Sequence, residues 1–287
     1  MKHSRLLLLI PALLLSSCGD AEHIGNKVNT SKVASIYEDI NLNYENEDCY
    51  VTDFTREAVT GKGDTKLTEK LRYKAKSDGQ NIYLNLRKSS AQGNIKSSYH
   101  TEYYLLQDKT YGTILFVRDE NLVTKAVNEI AVPYSDYASY YSKPYVNNFK
   151  YDSYLQFALS TSYIRSTINS YITYDPSEYD DDSATKQTKA QFYSTGKGNI
   201  TLKLLYSTKK GASIDKDYED ITKAEATLTI DNYRSSKITY ETTSTFGNKE
   251  TWNLQYTYPK SVKIEPPENW QTHLQTYSYQ YGTKSTY

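Results

Sequence analysis

The side chains able to do chemistry are few and scattered. Among the histidines, His23, His100 and His273 lie far apart in the chain, and only His100 has a carboxylate, Glu102, two residues away on an alternating segment. A histidine beside a carboxylate can work as an acid–base pair; the plainer reading is a half-exposed contact across one sheet face. Cys49 opens a strand-like run. A strand offers none of the thiolate stabilisation of a helix N-terminus, so a buried free thiol is expected. Asp175, Glu178, Asp180, Asp181 and Asp182 form an acidic loop. Calcium takes six to eight oxygens, but the EF-hand spacing is missing and such a charge run is ordinarily a solvated loop. Thr60-Gly61-Lys62-Gly63-Asp64 and Thr195-Gly196-Lys197-Gly198-Asn199 repeat one pattern without phosphate-loop spacing, and neither a G-x-S-x-G elbow nor an H-E-x-x-H motif occurs. The sequence therefore predicts a protein without catalysis, cofactor or metal. The repeated pattern reads as a duplicated half or, more plainly, as repeated turn chemistry.

The remaining cysteine is Cys18. Lys2 and Arg5 make a basic start, Leu6 to Leu15 is apolar apart from Pro11, and Ser16-Ser17-Cys18 follow. Ten apolar residues are too few to cross a bilayer, which needs about 20. The order of basic start, short apolar stretch and small residues is that of a secretory signal peptide. The ending Leu15-Ser16-Ser17-Cys18 resembles the lipobox of bacterial lipoproteins. That resemblance implies cleavage before Cys18 and a diacylglyceryl group on its thiol. The protein would then be held on the extracytoplasmic side of a cell membrane by its acyl chains, without a spanning segment. Residues 1–17 are the signal peptide in this reading, and 18–30 a flexible, polar tether.

Removal of Lys2 and Arg5 takes the 34 basic side chains to 32 against 34 acidic ones, a formal charge of −2. Binders of nucleic acid carry a concentrated basic face, and no such partner is expected. No protein partner can be named. With Cys18 lipidated, Cys49 has no partner for a disulfide within the chain. Leu, Ile, Val and Phe make up under a fifth of the processed chain, while Tyr occurs 31 times. Low net charge argues against disorder, so tyrosine rings must supply much of the buried area.

A single domain is expected over 31–267, followed by a polar tail at 268–287. Ser31 is placed to cap a helix carrying Val33, Ile36, Tyr37 and Ile40 on one side and ending near Asn43. The period then changes to two. Tyr50, Thr52 and Phe54 alternate with polar neighbours. Leu67, Leu71, Tyr73 and Ala75 oppose a row of lysines, arginine and threonine, with Glu69 marking a rim or a bulge. Asp78-Gly79, Gly93-Asn94 and Asp108-Lys109 read as turns of an antiparallel meander. Leu122 to Val132 has helical spacing at Val123, Ala126, Val127 and Ile130, ended by Pro133. Ser153 to Tyr171 reads as a further helix. A second meander spans 190–258, and Val262 and Ile264 suggest a last strand before Pro266-Pro267.

This order of elements resembles the LolA/LppX-type lipoprotein carriers, and the ending Tyr258 to Pro267 resembles that family's closing strand and proline stop. The resemblance implies an α+β fold, mainly β: an antiparallel open half-barrel whose hollow face is covered by a few helices, with an apolar or amphiphilic ligand between the layers. A one-sided sheet needs a cover in any case, and imperfect packing between layers leaves room for a ligand. The residues expected inside are Leu71, Tyr73, Ile82, Leu84, Leu86, Tyr103, Leu105, Ile114 and Phe116 from the first meander. From the second they are Leu202, Leu204, Tyr206, Leu228, Ile230, Trp252, Leu254 and Tyr256. The same residues would also serve as an ordinary filled core. A second reading is a cell-envelope interaction module that uses Tyr clusters at 134–145 and 277–287 for protein or glycan contacts.

Overall fold

The computed structural model describes residues 24–43, 48–134, 161–173, 186–212 and 219–274. Twelve strands and two longer helices follow in chain order: β1 (Asn26–Val28), α1 (Thr30–Leu42), β2 (Cys49–Thr60), β3 (Leu67–Asp78), β4 (Ile82–Gln92), β5 (Ile95–Asp108), β6 (Gly112–Asn121), β7 (Val127–Pro133), α2 (Tyr163–Ile172), β8 (Lys186–Gly196), β9 (Asn199–Thr208), β10 (Ile221–Asp231), β11 (Arg234–Ser244) and β12 (Lys249–Thr257). They form one open sheet in the order β1-β8-β9-β10-β11-β12-β2-β3-β4-β5-β6-β7. Every pairing in it is antiparallel. The fold is thus the expected open half-barrel with few helices. Each meander is built of neighbouring hairpins, and the last strand of the second, β12, docks against the first strand of the first, β2.

The helices form because their apolar residues recur on one side. Val33 and Ile40 of α1 and Ile164 and Ile168 of α2 are fully buried. α1 packs on β8 and β9, α2 on β10 and β11, and the helices touch each other, where the Tyr37 hydroxyl donates to the Arg165 carbonyl. The cap of α1 is Asn29, not Ser31: the Asn29 side chain accepts from the Lys32 N–H at 3.0 Å. The expected tether is shortened from its far end, because Asn26–Val28 already pairs with β8. Part of the helix expected over Ser153 to Tyr171, residues 153–160, lies outside the described residues.

Turn chemistry sets the register. The Asp78 carboxylate accepts from the Gln80 and Asn81 N–H groups at 2.9 and 2.6 Å. Burial alone would raise its pKa, but the N–H groups of Asn81 and Gln80 outweigh it and hold the carboxyl below its ordinary value. A depressed folded pKa gives stability that is present above the unfolded pKa, near 3.9, and lost as pH falls through the folded value. Asp78→Ala is expected to destabilise by about 1 kcal/mol at neutral pH, since the carboxylate is largely solvated. In urea unfolding the difference from wild type should shrink as pH falls below the unfolded pKa and through the lower folded one. The repeated Thr-Gly-Lys-Gly segments put both glycines at positive φ in each copy. At Gly198 this is obligatory: a Cβ there would meet the Tyr233 ring at 2.4 Å.

Three local expectations are corrected. Leu122 to Val132 is not a helix: residues 122–126 turn, with Lys125 at φ 63, and Val127–Pro133 is the edge strand β7. Val262 and Ile264 form no strand. The segment 268–274 is not a loose tail: residues 270–274 are helical, with Trp270 and Leu274 buried against Leu106, Ile114, Phe116 and Ala131.

Candidate ligand face

Strand alternation divides the sheet into two faces, and the register lays out the inner one in rows. The row Tyr256, Thr52, Ala75, Leu84, Tyr103, Val117 crosses six strands with a single polar member. The next row is Ile238, Leu254, Phe54, Tyr73, Leu86, Thr101. Two residues further along the strands the composition changes to Tyr240, Trp252, Arg56, Leu71, Lys88 and Tyr99. The row beyond is Thr242, Glu250, Ala58, Glu69, Ser90 and Ser97. Successive rows are about 6.7 Å apart, so the inner face passes from apolar floor to charged rim within about 20 Å.

The floor is a closed core. Phe54 and Tyr73 stack with centroids 4.7 Å apart and are 1% and 0% exposed. Thr52 lies among them, fully buried, and its hydroxyl has no hydrogen-bond partner among the described residues. Leaving a buried hydroxyl unmatched costs about 1–3 kcal/mol. At the rim, the Arg56 guanidinium donates to the Glu250 carboxylate, which also accepts from the Trp252 indole N–H at 2.8 Å. Lys88 and Tyr99 stand exposed beside them. Glu69 sits in this polar row with unbroken pairing on both sides: it marks the rim and not a bulge.

Of the residues expected inside, Leu71, Tyr73, Leu84, Leu86, Tyr103, Leu105, Leu202, Leu228, Ile230, Leu254 and Tyr256 belong to one core cluster with Val33, Ile40, Ile164 and Ile168 of the helices. Ile82, Leu204 and Trp252 pack partly buried against it. Tyr206 shares that face on β9, half-buried, with the Lys186 ammonium 5.9 Å from its ring. Ile114 and Phe116 are a correction. They pack on the opposite face with Trp270 and Leu274, while their neighbours Leu115 and Val117 enter the main core. Tyr50, Phe54 and Ile200 belong to the core and were not among the expected ones; Phe54 could have been added from its alternation with Tyr50 and Thr52. The rim group Arg56, Lys88 and Glu250 gave no signal, because it needs the register between strands far apart in sequence.

The other expected chemistry falls elsewhere. His100 lies on the outer face with its Nδ1 3.9 Å from Glu120. Glu102 is engaged by the Tyr83 hydroxyl at 2.7 Å and by Arg118 at 3.8 Å, so no His100–Glu102 pair forms. Cys49 is a half-buried free thiol. Among the described residues, no cluster of three His, Cys, Asp or Glu is placed to hold a metal ion, and no helix is long and apolar enough to cross a membrane. Cys18, the acidic loop Asp175 to Asp182, and most of the Tyr clusters lie outside the described residues.

No protein-family model matches the chain, and no curated protein matches it. Among the solved structures similar to this chain are two with low TM-scores. One is a DUF1329 family protein from Desulfovibrio piger, 9% identical over 82% of this chain and 95% of that one, with a TM-score of 0.25. The other is a domain from Vibrio parahaemolyticus named as an outer membrane lipoprotein-sorting protein, 10% identical over 85% of this chain and 98% of that one, also with a TM-score of 0.25.

Proposed function

We propose that this protein is a lipid-anchored, extracytoplasmic binding protein without catalytic activity. It holds an amphiphile between sheet and helices and is tethered to the membrane through a diacylglyceryl group on Cys18. The observation that carries this reading is the graded inner face. An apolar tail suits the floor around Phe54, Tyr73 and Leu84, and a polar head group suits the rim of Arg56, Lys88 and Trp252. Burial of a tail yields about 0.8 kcal/mol per methylene, and the unmatched Thr52 hydroxyl offers one hydrogen bond within an otherwise apolar site. Because Phe54, Tyr73 and Leu84 are closed off in this form, entry requires the packing over β2–β4 to open.

The test has two arms. Full-length protein expressed in a bacterial host should fractionate with membranes, and Cys18→Ala should release most of it to the soluble fraction. Native mass spectrometry of the Cys18→Ala protein should show a bound acyl lipid at near-equal stoichiometry, with Leu84→Trp, which fills the floor, reducing occupancy several-fold. Wild-type protein found freely soluble would overturn the address. No bound lipid, together with no uptake of a fluorescent fatty acid, would overturn the role.

A further inference from the structure

The outer face of β3 and β4 carries a feature that ligand binding on the inner face does not use. Lys70, Arg72, Lys74 and Lys76 follow one another at every second residue of β3 and face outward, a line of cations about 20 Å long. Arg87 on β4 stands directly opposite Arg72, and Asn85 and Tyr83 stand opposite Lys74 and Lys76. Like charges directly opposed across an antiparallel pair destabilise it. The fold keeps them together, and they border open space: a trough of about 350 Å³ lined by Arg72, Lys74, Lys76, Tyr83, Asn85 and Arg87. It continues past Arg72 and Arg87 into a second of about 420 Å³ that reaches Lys70 and Ser98.

The carboxylates nearby are already engaged. Asp53 pairs with Arg72 at 3.1 Å, Glu57 with Lys70 at 3.1 Å, and Glu102 with Tyr83 and Arg118. Lys74, Lys76 and Arg87 have no carboxylate partner among the described residues. One wall is aromatic and fixed in place. The Tyr83 ring lies 4.7 Å from that of Tyr104, its hydroxyl donates to Glu102, and it accepts from the Asn85 amide at 3.0 Å.

We infer that this trough binds a linear acidic polysaccharide, with Lys74, Lys76 and Arg87 meeting its anionic groups and Tyr83 packing against a sugar ring. Charge complementarity selects a polyanion: Lys74, Lys76 and Arg87 form no ion pair among the described residues, Asp53 opposite Lys74 being paired with Arg72, and successive cations along β3 are about 6.7 Å apart, within one Debye length of about 8 Å. The trough runs along two neighbouring strands, β3 and β4, about 4.8 Å apart, a line of contacts suited to a single extended chain. The aromatic wall beside an amide suits a sugar, which presents C–H groups on one side and hydroxyls on the other. The site goes beyond the proposed amphiphile binding and is independent of it, on the opposite face of the sheet.

Polygalacturonate is the probe, with dextran as its neutral counterpart and polyglutamate as an anionic chain lacking sugar rings. Binding to the full-length Cys18→Ala protein is measured by calorimetry in 50 and 200 mM salt. Polygalacturonate should bind, more weakly at the higher salt, and dextran should not. The triple variant Lys74→Gln/Lys76→Gln/Arg87→Gln should weaken binding at least tenfold and flatten the salt dependence. The equally charged change Lys96→Gln/Lys109→Gln/Lys210→Gln, on exposed positions elsewhere, should alter it less than twofold. Tyr83→Leu should weaken polygalacturonate binding and leave polyglutamate unchanged. Equal losses in the two triple variants would overturn the site. So would the absence of binding in 50 mM salt. A triple variant that loses binding to phosphatidylglycerol vesicles while keeping polygalacturonate would assign the trough to a membrane and overturn the glycan.

Discussion

Phe54→Ala is expected to destabilise the protein by about 3–5 kcal/mol, the range for emptying a buried aromatic site. In a domain of this size, that lowers the melting temperature by on the order of 10 °C. Phe54 is the central contact of the inner face. It stacks on Tyr73, meets Trp252 edge to face with centroids 6.1 Å apart, and joins β12 to β3 through the register Leu254, Phe54, Tyr73. These are also the strands where the two meanders meet, so the lost volume lies at the seam and not within one half. Thr55→Ala, the next residue on the same strand but exposed on the other face, should change stability by less than about 0.5 kcal/mol. Chemical denaturation of both variants checks the pair. A Phe54→Ala protein within 1 kcal/mol of wild type would mean that the floor is not the centre of the core.

That contrast also marks what is legible in the sequence. Where one face is wet, alternation identifies the buried residues: β3 reads correctly from Leu71, Tyr73 and Ala75 against Arg72, Lys74 and Lys76, and its burial follows. Low aliphatic content did not hide the core, since Tyr50, Tyr73, Tyr103 and Tyr256 take the places that Leu or Ile would fill. The rule fails where both faces are covered. In Ile114-Leu115-Phe116-Val117 every residue is buried, so parity carries no information. Only the register of Leu105 with Leu115 assigns the faces. In β7 the same double burial places Ala131 outward and Ile130 and Val132 inward. The resulting run Val-Asn-Glu-Ile-Ala-Val shows no strand period, and the preceding turn residues Val123 and Ala126 complete a helical spacing by coincidence. The rim and the trough share one limitation. Arg56, Lys88 and Glu250, like Arg72 and Arg87, become neighbours only through cross-strand pairing, which a linear pattern does not contain.

The cover responsible for this is the segment after the second meander, and it gives the other large effect. Trp270 and Leu274 are 7% and 1% exposed and lie over Leu106, Ile114, Phe116 and Ala131. The segment is fastened by polar contacts: the His273 Nε2 is 3.2 Å from a Glu129 oxygen, the Asn269 amide donates to the same residue at 3.4 Å, and the His273 ring meets Phe116 at 5.8 Å between centroids. Trp270→Ala should remove about 3 kcal/mol from this cluster, and the loss should be local. β7 is an edge strand held on one side by β6, and the outer cover completes the burial of both. Amide hydrogen exchange should therefore accelerate in β6 and β7 by about a hundredfold, if the lost free energy is felt by local opening. Exchange in β2 and β12, at the seam, should stay near wild type, and so should binding of an amphiphile on the inner face. A dye specific for exposed apolar surface should report the uncovered Phe116 and Ile114. If exchange rose equally in all strands, the segment would be part of the global core. If it did not change at all, the edge would be stable without its cover, and the double-sided burial of β5 to β7 would be incidental to the fold.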